Sequence, residues 1–135
     1  MRAAAKGKDG HDLKILGVTV LTSLDQAALD DIGYYMTPEE LVMRRVKQAI
    51  DSGIDGVVSS PKEAATIRAH VPDDFLVVTP GIRMAGDDVG DQKRIATPAN
   101  ALSDGASHIV VGRPITQAID PKAAAIRVLN NISEA

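Results

Sequence analysis

The chain has 135 residues, 44% of them hydrophobic and 24% charged, with a formal net charge of −3 and a pI near 5.5; that reads as one soluble globular domain spanning 1–135 around a single core. The acidic balance argues against a nucleic-acid footprint, which needs a basic face, and one Phe, two Tyr and no Trp leave little for base stacking. The absence of cysteine excludes disulfides and thiolate metal sites; the opening MRAAAKGKDG lacks the apolar stretch of a secretory signal, and no run approaches the roughly 20 apolar residues of a membrane span, so a cytoplasmic location is expected.

In chain order, the first apolar run covers residues 15–21. It is nearly continuous in Val, Ile and Leu rather than alternating, as are the runs at 54–58, 75–79 and 108–111; such runs are expected of strands buried on both faces of a parallel sheet. Between the first two runs, Thr37-Pro38-Glu39-Glu40 predicts a helix start, with a capping hydroxyl, a proline at the first helical position and a glutamate three residues after the cap. That helix has Val42, Val46, Ala49 and Ile50 on one face and Arg44, Lys47, Gln48 and Asp51 on the other. Ser60-Pro61-Lys62-Glu63 repeats the same start signal, and Thr97-Pro98 and Asp120-Pro121 supply two more. Gly53 and Gly105 stand where glycines after helix C-termini belong, and Ala125, Val128, Leu129 and Ile132 form an apolar stripe near the end.

The order is therefore β-α-β-α-β-α-β-α, which predicts parallel strands joined by right-handed crossovers. An open doubly wound sheet and part of a (β/α)8 barrel both satisfy it. A complete barrel takes about 250 residues, so four units here amount to about half of one.

Two strand-to-helix loops carry the candidate chemistry. The loop after the third run, from Pro80 through Gly81, Ile82 and Arg83 to Arg94, is long for such a connection, and long loops in compact domains are usually functional. After the fourth run comes Gly112-Arg113-Pro114-Ile115: a glycine that lets backbone approach a ligand, and a guanidinium fork. Backbone N–H groups at a helix start together with an arginine make an anion site, and barrel enzymes often build their phosphate site from the loops after the last two strands.

The segments Val18-Thr19-Val20-Leu21-Thr22-Ser23, Asp55-Gly56-Val57-Val58, Val78-Thr79-Pro80-Gly81-Ile82-Arg83, Gly90-Asp91-Gln92 and Val110-Val111-Gly112-Arg113-Pro114-Ile115-Thr116 resemble, in order and spacing, successive signatures of bacterial orotidine 5'-monophosphate decarboxylases, over nearly the whole chain. The resemblance implies a (β/α)8 TIM-barrel fold of which this chain covers roughly the last four βα units. It also implies decarboxylation of orotidine 5'-monophosphate to uridine 5'-monophosphate (UMP), without metal or organic cofactor, by an enzyme that is a homodimer at full length. Thr22, with Ser23 beside it, is implied to line the nucleotide site, while Arg83, Gln92, Gly112 and Arg113 contact substrate, mainly around its phosphate. Binding energy from a phosphate remote from the reacting carbon can be realised in the transition state alone.

The family's Asp-x-Lys-x-x-Asp catalytic motif finds no match. Asp12-Leu13-Lys14 is a tempting partial match, but Gly17 stands where the last acid belongs, and the two charges precede a strand instead of following it. The expectation is a chain with no catalytic residues of its own and weak or no turnover. Asp87, Asp88 and Asp91 read as a solvated loop in preference to a cation site; His11, His70 and His108 share no ligand or triad spacing; Tyr34 and Tyr35 are expected to pack in the loop before Thr37. Two rival readings stand beside the main one: a non-catalytic half-barrel module that pairs its open strand edges with another half, and a related barrel acting on sugar phosphates.

Overall fold

The computed structural model describes residues 1–87 and 90–133. Helix α1 (Arg2–Gly7) leads into β1 (Leu16–Val18), followed by α2 (Gln26–Asp31), α3 (Pro38–Ile50), β2 (Gly56–Val58), a 3-10 turn (Pro61–Glu63) that runs into α4 (Ala64–Arg68), β3 (Leu76–Thr79), α5 (Pro98–Ser103), β4 (His108–Ile109), α6 (Arg113–Thr116) and α7 (Pro121–Ser133). The four strands form one parallel sheet in the order β1-β2-β3-β4. The ladders are shorter than the apolar runs. Residues Val20 and Leu21 continue past the last paired position of β1 and carry the chain towards the site.

Register explains which face is buried. Gly17, Val57 and Val77 are aligned across three strands, and Val57 and Val77 have no exposed surface. They face α3 and α4, whose Val42, Val46, Ala49, Ala64 and Ile67 complete the main core. Burying each of the Val and Ile side chains contributes roughly 1.5–3 kcal/mol. On the opposite face Leu16 aligns with Gly56 and Leu76, and Val18 with Val58, Val78 and His108. There Leu16 and Val18 remain 37% and 52% exposed. The helices contacting the sheet, α3, α4 and α5, thus cover one face and leave an apolar face open.

Helix α3 starts as predicted. The Glu40 N–H donates to the Thr37 hydroxyl at 3.1 Å and the Thr37 N–H to the Glu40 carboxylate at 2.9 Å, a reciprocal cap worth about 1 kcal/mol. Thr97 caps α5 through the Asn100 N–H, and Asp120 accepts from the Ala123 N–H at the start of α7. Gly53 and Gly105 both adopt positive φ after their helices.

Other expectations are corrected. Ser60 accepts from the Lys62 N–H, and the carboxylate of Glu63, which the capping pattern assigns to the helix start, turns into the interior. Leu41 replaces Ile50 on the buried face of α3, because the helix ends as Ile50 turns outward. In α7, Ala124 and Val128 are buried while Leu129 is 62% exposed. That helix packs on α5 and α6, which rotates its covered face away from the expected stripe. The loop before Thr37 contains the helix α2, capped by Asp25 through the Ala28 N–H. Tyr34 lies under the Arg45 guanidinium, 5.7 Å from carbon to ring centroid, whereas Tyr35 stands out in solvent.

Candidate functional site

Parallel strands deliver their C-terminal ends to one edge of the sheet, and three of those ends supply the candidate residues. β1 runs on into Thr22, β3 into Pro80, Gly81 and Arg83, and β4 into Val110, Gly112 and Arg113. Together with Gln92 from the long loop they line one cleft of about 200 Å³. Five of the six residues singled out in the sequence, Thr22, Arg83, Gln92, Gly112 and Arg113, therefore meet. Ser23, half-buried one position further on, does not line the cleft.

The long loop reaches the cleft because its second half returns to the sheet. Residue 82 bridges residue 96 in parallel fashion; the Arg83 N–H donates to the Ala96 carbonyl at 3.0 Å and the Ala96 N–H to the Gly81 carbonyl at 3.4 Å. The Lys93 N–H reaches the Thr22 carbonyl at 3.3 Å, and the Lys93 ammonium pairs with Asp25 at 2.6 Å. Gln92 is thereby laid beside Thr22, whose hydroxyl donates to its side-chain oxygen. Gly81 makes the approach possible. Its φ is +80°, and a Cβ there would lie 3.0 Å from the Arg94 carbonyl and 3.4 Å from the Gln92 side-chain oxygen.

Two guanidinium groups flank the cleft in different states. Arg83 is 7% exposed and donates to its neighbour's carbonyl, that of Ile82, at 2.8 Å. Arg113 is close to half exposed and pairs with Asp91. The Arg113 guanidinium, and after it the Gln92 amide, hold the Asp91 carboxyl below its ordinary value of 3.8. A second cleft of about 310 Å³ shares the same two arginines and is lined as well by Arg127 of α7, which approaches Asp87 at 3.5 Å. Each cleft is at or below the lower end of ligand-pocket sizes, roughly 300–1,000 Å³, a size suited to a phosphoryl group and less to a whole nucleotide.

Helix α6 is a single turn whose second residue is Pro114, so the helix start offers few N–H groups, and Arg113 stands beside it as the cationic side chain. Among the described residues no three His, Asp or Glu side chains gather as a metal site; Asp87 and Asp91 each take an arginine, and Asp88 lies outside the described residues. Asp12 and Lys14 precede β1, at the end of the sheet away from the cleft, where Lys14 lines a separate hollow with Asp55 and Asp74. No helix among the described residues is long and apolar enough to cross a membrane.

The sequence reading missed one buried pair. Arg94 and Glu63, 6% and 3% exposed, meet at 2.6 Å directly behind the cleft. Nothing local marks either residue for burial; their partnership spans 31 positions.

Comparison with known proteins decides the family. Residues 1–128 match the family model described as "Orotidine 5'-phosphate decarboxylase / HUMPS family". The chain belongs to this family. It is 56% identical over 133 residues to the orotidine 5'-phosphate decarboxylase of Caulobacter sp. (strain K31), covering 98% of this chain and 58% of that relative. It is 53% identical over 132 residues to the enzyme of the same name from Rhodopseudomonas palustris (strain BisA53), covering 98% and 56%. The crystal structure of orotidine 5'-phosphate decarboxylase from Lactobacillus acidophilus superimposes with a TM-score of 0.76 at 39% identity, over 97% of this chain and 57% of that one. The chain thus spans a little over half the length of these members, and its four βα units have the fold of about half of the family's (β/α)8 barrel.

Proposed function

We propose that this chain is the phosphate- and nucleotide-gripping part of an orotidine 5'-phosphate decarboxylase, and that the complete enzyme converts orotidine 5'-monophosphate to UMP and CO2 as a cytoplasmic homodimer. The observation that carries the reading is the meeting of Thr22, Arg83, Gln92, Gly112 and Arg113 in one cleft at the carboxyl ends of the strands, where barrel enzymes keep their sites. Two guanidiniums, an amide and a glycine backbone together suit a dianionic phosphoryl group. An incoming phosphate competes with Asp91 for Arg113 and gains the stronger, doubly charged contact.

The chain alone carries no Asp-x-Lys-x-x-Asp segment, so binding and turnover separate. Calorimetric titration is expected to show UMP binding and far weaker binding of uridine, which lacks the phosphate. Equal affinity for the two overturns the phosphate role. Robust loss of orotidine 5'-monophosphate absorbance with the isolated chain overturns the assignment of catalysis to other segments.

The open apolar face supports a second reading, in which the chain assembles with another barrel half. Leu16, Val18, Leu21 and Val110 are 37–58% exposed, and β1 and β4 are the edge strands of the sheet; uncovered edges of this kind invite pairing. Sedimentation at several concentrations tests it: a mass that rises with concentration supports assembly, and a fixed monomer mass removes it.

A further inference from the structure

We propose that Arg94, with Glu63 as its counter-ion, is a positioning residue of the phosphate cleft: it pins the loop segment 92–96 to the ends of β1 and β2 and so holds Gln92 against Thr22. This deepens the reading above and rests on it for the identity of the ligand. The guanidinium donates to Glu63 at 2.6 Å, to the Leu21 carbonyl at 2.9 Å and to the Val20 carbonyl at 3.2 Å. Those carbonyls lie beyond the paired residues of β1 and immediately before Thr22. Glu63 is fixed in turn by the Ser59 hydroxyl at 3.4 Å, just past β2. One side chain thus joins two strand ends, while its own backbone carbonyl lies against Gly81 at the end of β3.

Stability alone does not account for such an arrangement. A buried ion pair is often no more stabilising than well-packed apolar residues of the same volume, and here the buried Arg94 Nε–H has no hydrogen-bond partner among the described residues. What the fork provides, and an apolar side chain cannot, is directed bonds to three acceptors on two segments. Two residues before it, Gln92 receives the Thr22 hydroxyl bond. The orientation of the Gln92 amide therefore depends on where Arg94 anchors the loop.

The test is a double-mutant cycle read by UMP titration, with amide NMR of the same proteins. Arg94→Met is expected to weaken UMP binding by about tenfold, the scale of coupling within one hydrogen-bond network, and to have almost no further effect in a Gln92→Ala background. It is also expected to shift the Gln92 side-chain amide resonances while leaving the methyls of Leu29 and Val42 in place. Multiplying losses in the double variant, or unshifted Gln92 resonances, overturn the proposal. Where Arg94→Met does not fold, Arg94→Lys keeps the charge beside Glu63 without the fork; Gln92 resonances identical to those of the parent chain then overturn it. Should the parent chain bind no UMP, the functional reading falls, and the resonances alone judge the role of Arg94.

Discussion

The Thr22 hydroxyl donates to the Gln92 side-chain oxygen across 70 positions of sequence. That bond commits the oxygen of the amide and leaves its N–H side for an anion, here the Asp91 carboxylate. Thr22→Val keeps the shape and removes the donor. It is expected to weaken UMP binding by about 0.5–1.5 kcal/mol, the usual worth of a neutral hydrogen bond, whereas Thr22→Ser retains the affinity. Calorimetry on the two variants checks this; full affinity in Thr22→Val with a loss in Thr22→Ser would mean that the methyl group matters and the hydroxyl does not.

Arg113 and Asp91 make opposite predictions at the same place. Arg113→Ala removes a charge-assisted contact and is expected to cost roughly 1.5–3 kcal/mol of UMP affinity. Asp91→Asn takes away the carboxylate that competes with the phosphate for that guanidinium, so it is expected to tighten UMP binding a few-fold. Unchanged affinity in the first variant removes Arg113 from the site, and weaker binding in the second makes Asp91 a helper in place of a competitor.

Acid is expected to loosen the fold and the loop together. The carboxyls of Asp25, Asp55 and Asp91 are all held below 3.8, chiefly by hydrogen bonds from Lys93, Lys8 and Arg113 respectively. A carboxyl whose pKa is lower in the folded than in the unfolded chain contributes stability above the unfolded value, and loses it as pH falls through the folded one. Urea midpoints are therefore expected to be level from pH 7 to 5 and to fall below about 4. A midpoint at pH 3 equal to that at pH 7 contradicts the contribution of these three pairs.

Two glycines of the cleft are expected to separate folding from binding. At Gly81, φ is +80° and a Cβ meets the Arg94 carbonyl at 3.0 Å; Gly81→Ala is expected to lower stability by at least about 1–2 kcal/mol, the cost of left-handed backbone for an L-residue. At Gly112 a Cβ meets nothing within 4 Å among the described residues. Gly112→Ala places a methyl in space open to a ligand and is expected to lower UMP affinity. Thermal melts and titrations on both variants decide it; a large stability loss at Gly112 shows that this glycine serves the fold.

How much of this is legible in the sequence depends on the range of the interaction. The caps at Thr37, Thr97 and Asp120 can be read because donor and acceptor lie three residues apart. Glu63 misleads for the same reason: a capping pattern is local, and the carboxylate is claimed by Arg94, 31 residues away and desolvated. The cleft residues were recognisable from their motifs, yet the Thr22–Gln92 and Asp91–Arg113 partnerships arise only once the loop folds back and residue 82 bridges residue 96. The exposure of Leu16 and Val18 is equally hidden, since continuous apolar runs signal coverage on both sides and here the helices supply only one.

Among the described residues, each strand of this sheet is hydrogen-bonded only to its sequence neighbours. Nothing is threaded between earlier pieces, so a nascent polypeptide can lay down each βα unit on the finished one before it, with short loop closures at every step. A ladder of this kind behaves as a stack of cassettes: severing it between units costs one interface and disentangles nothing, which makes splitting, duplication and recombination at those seams physically cheap.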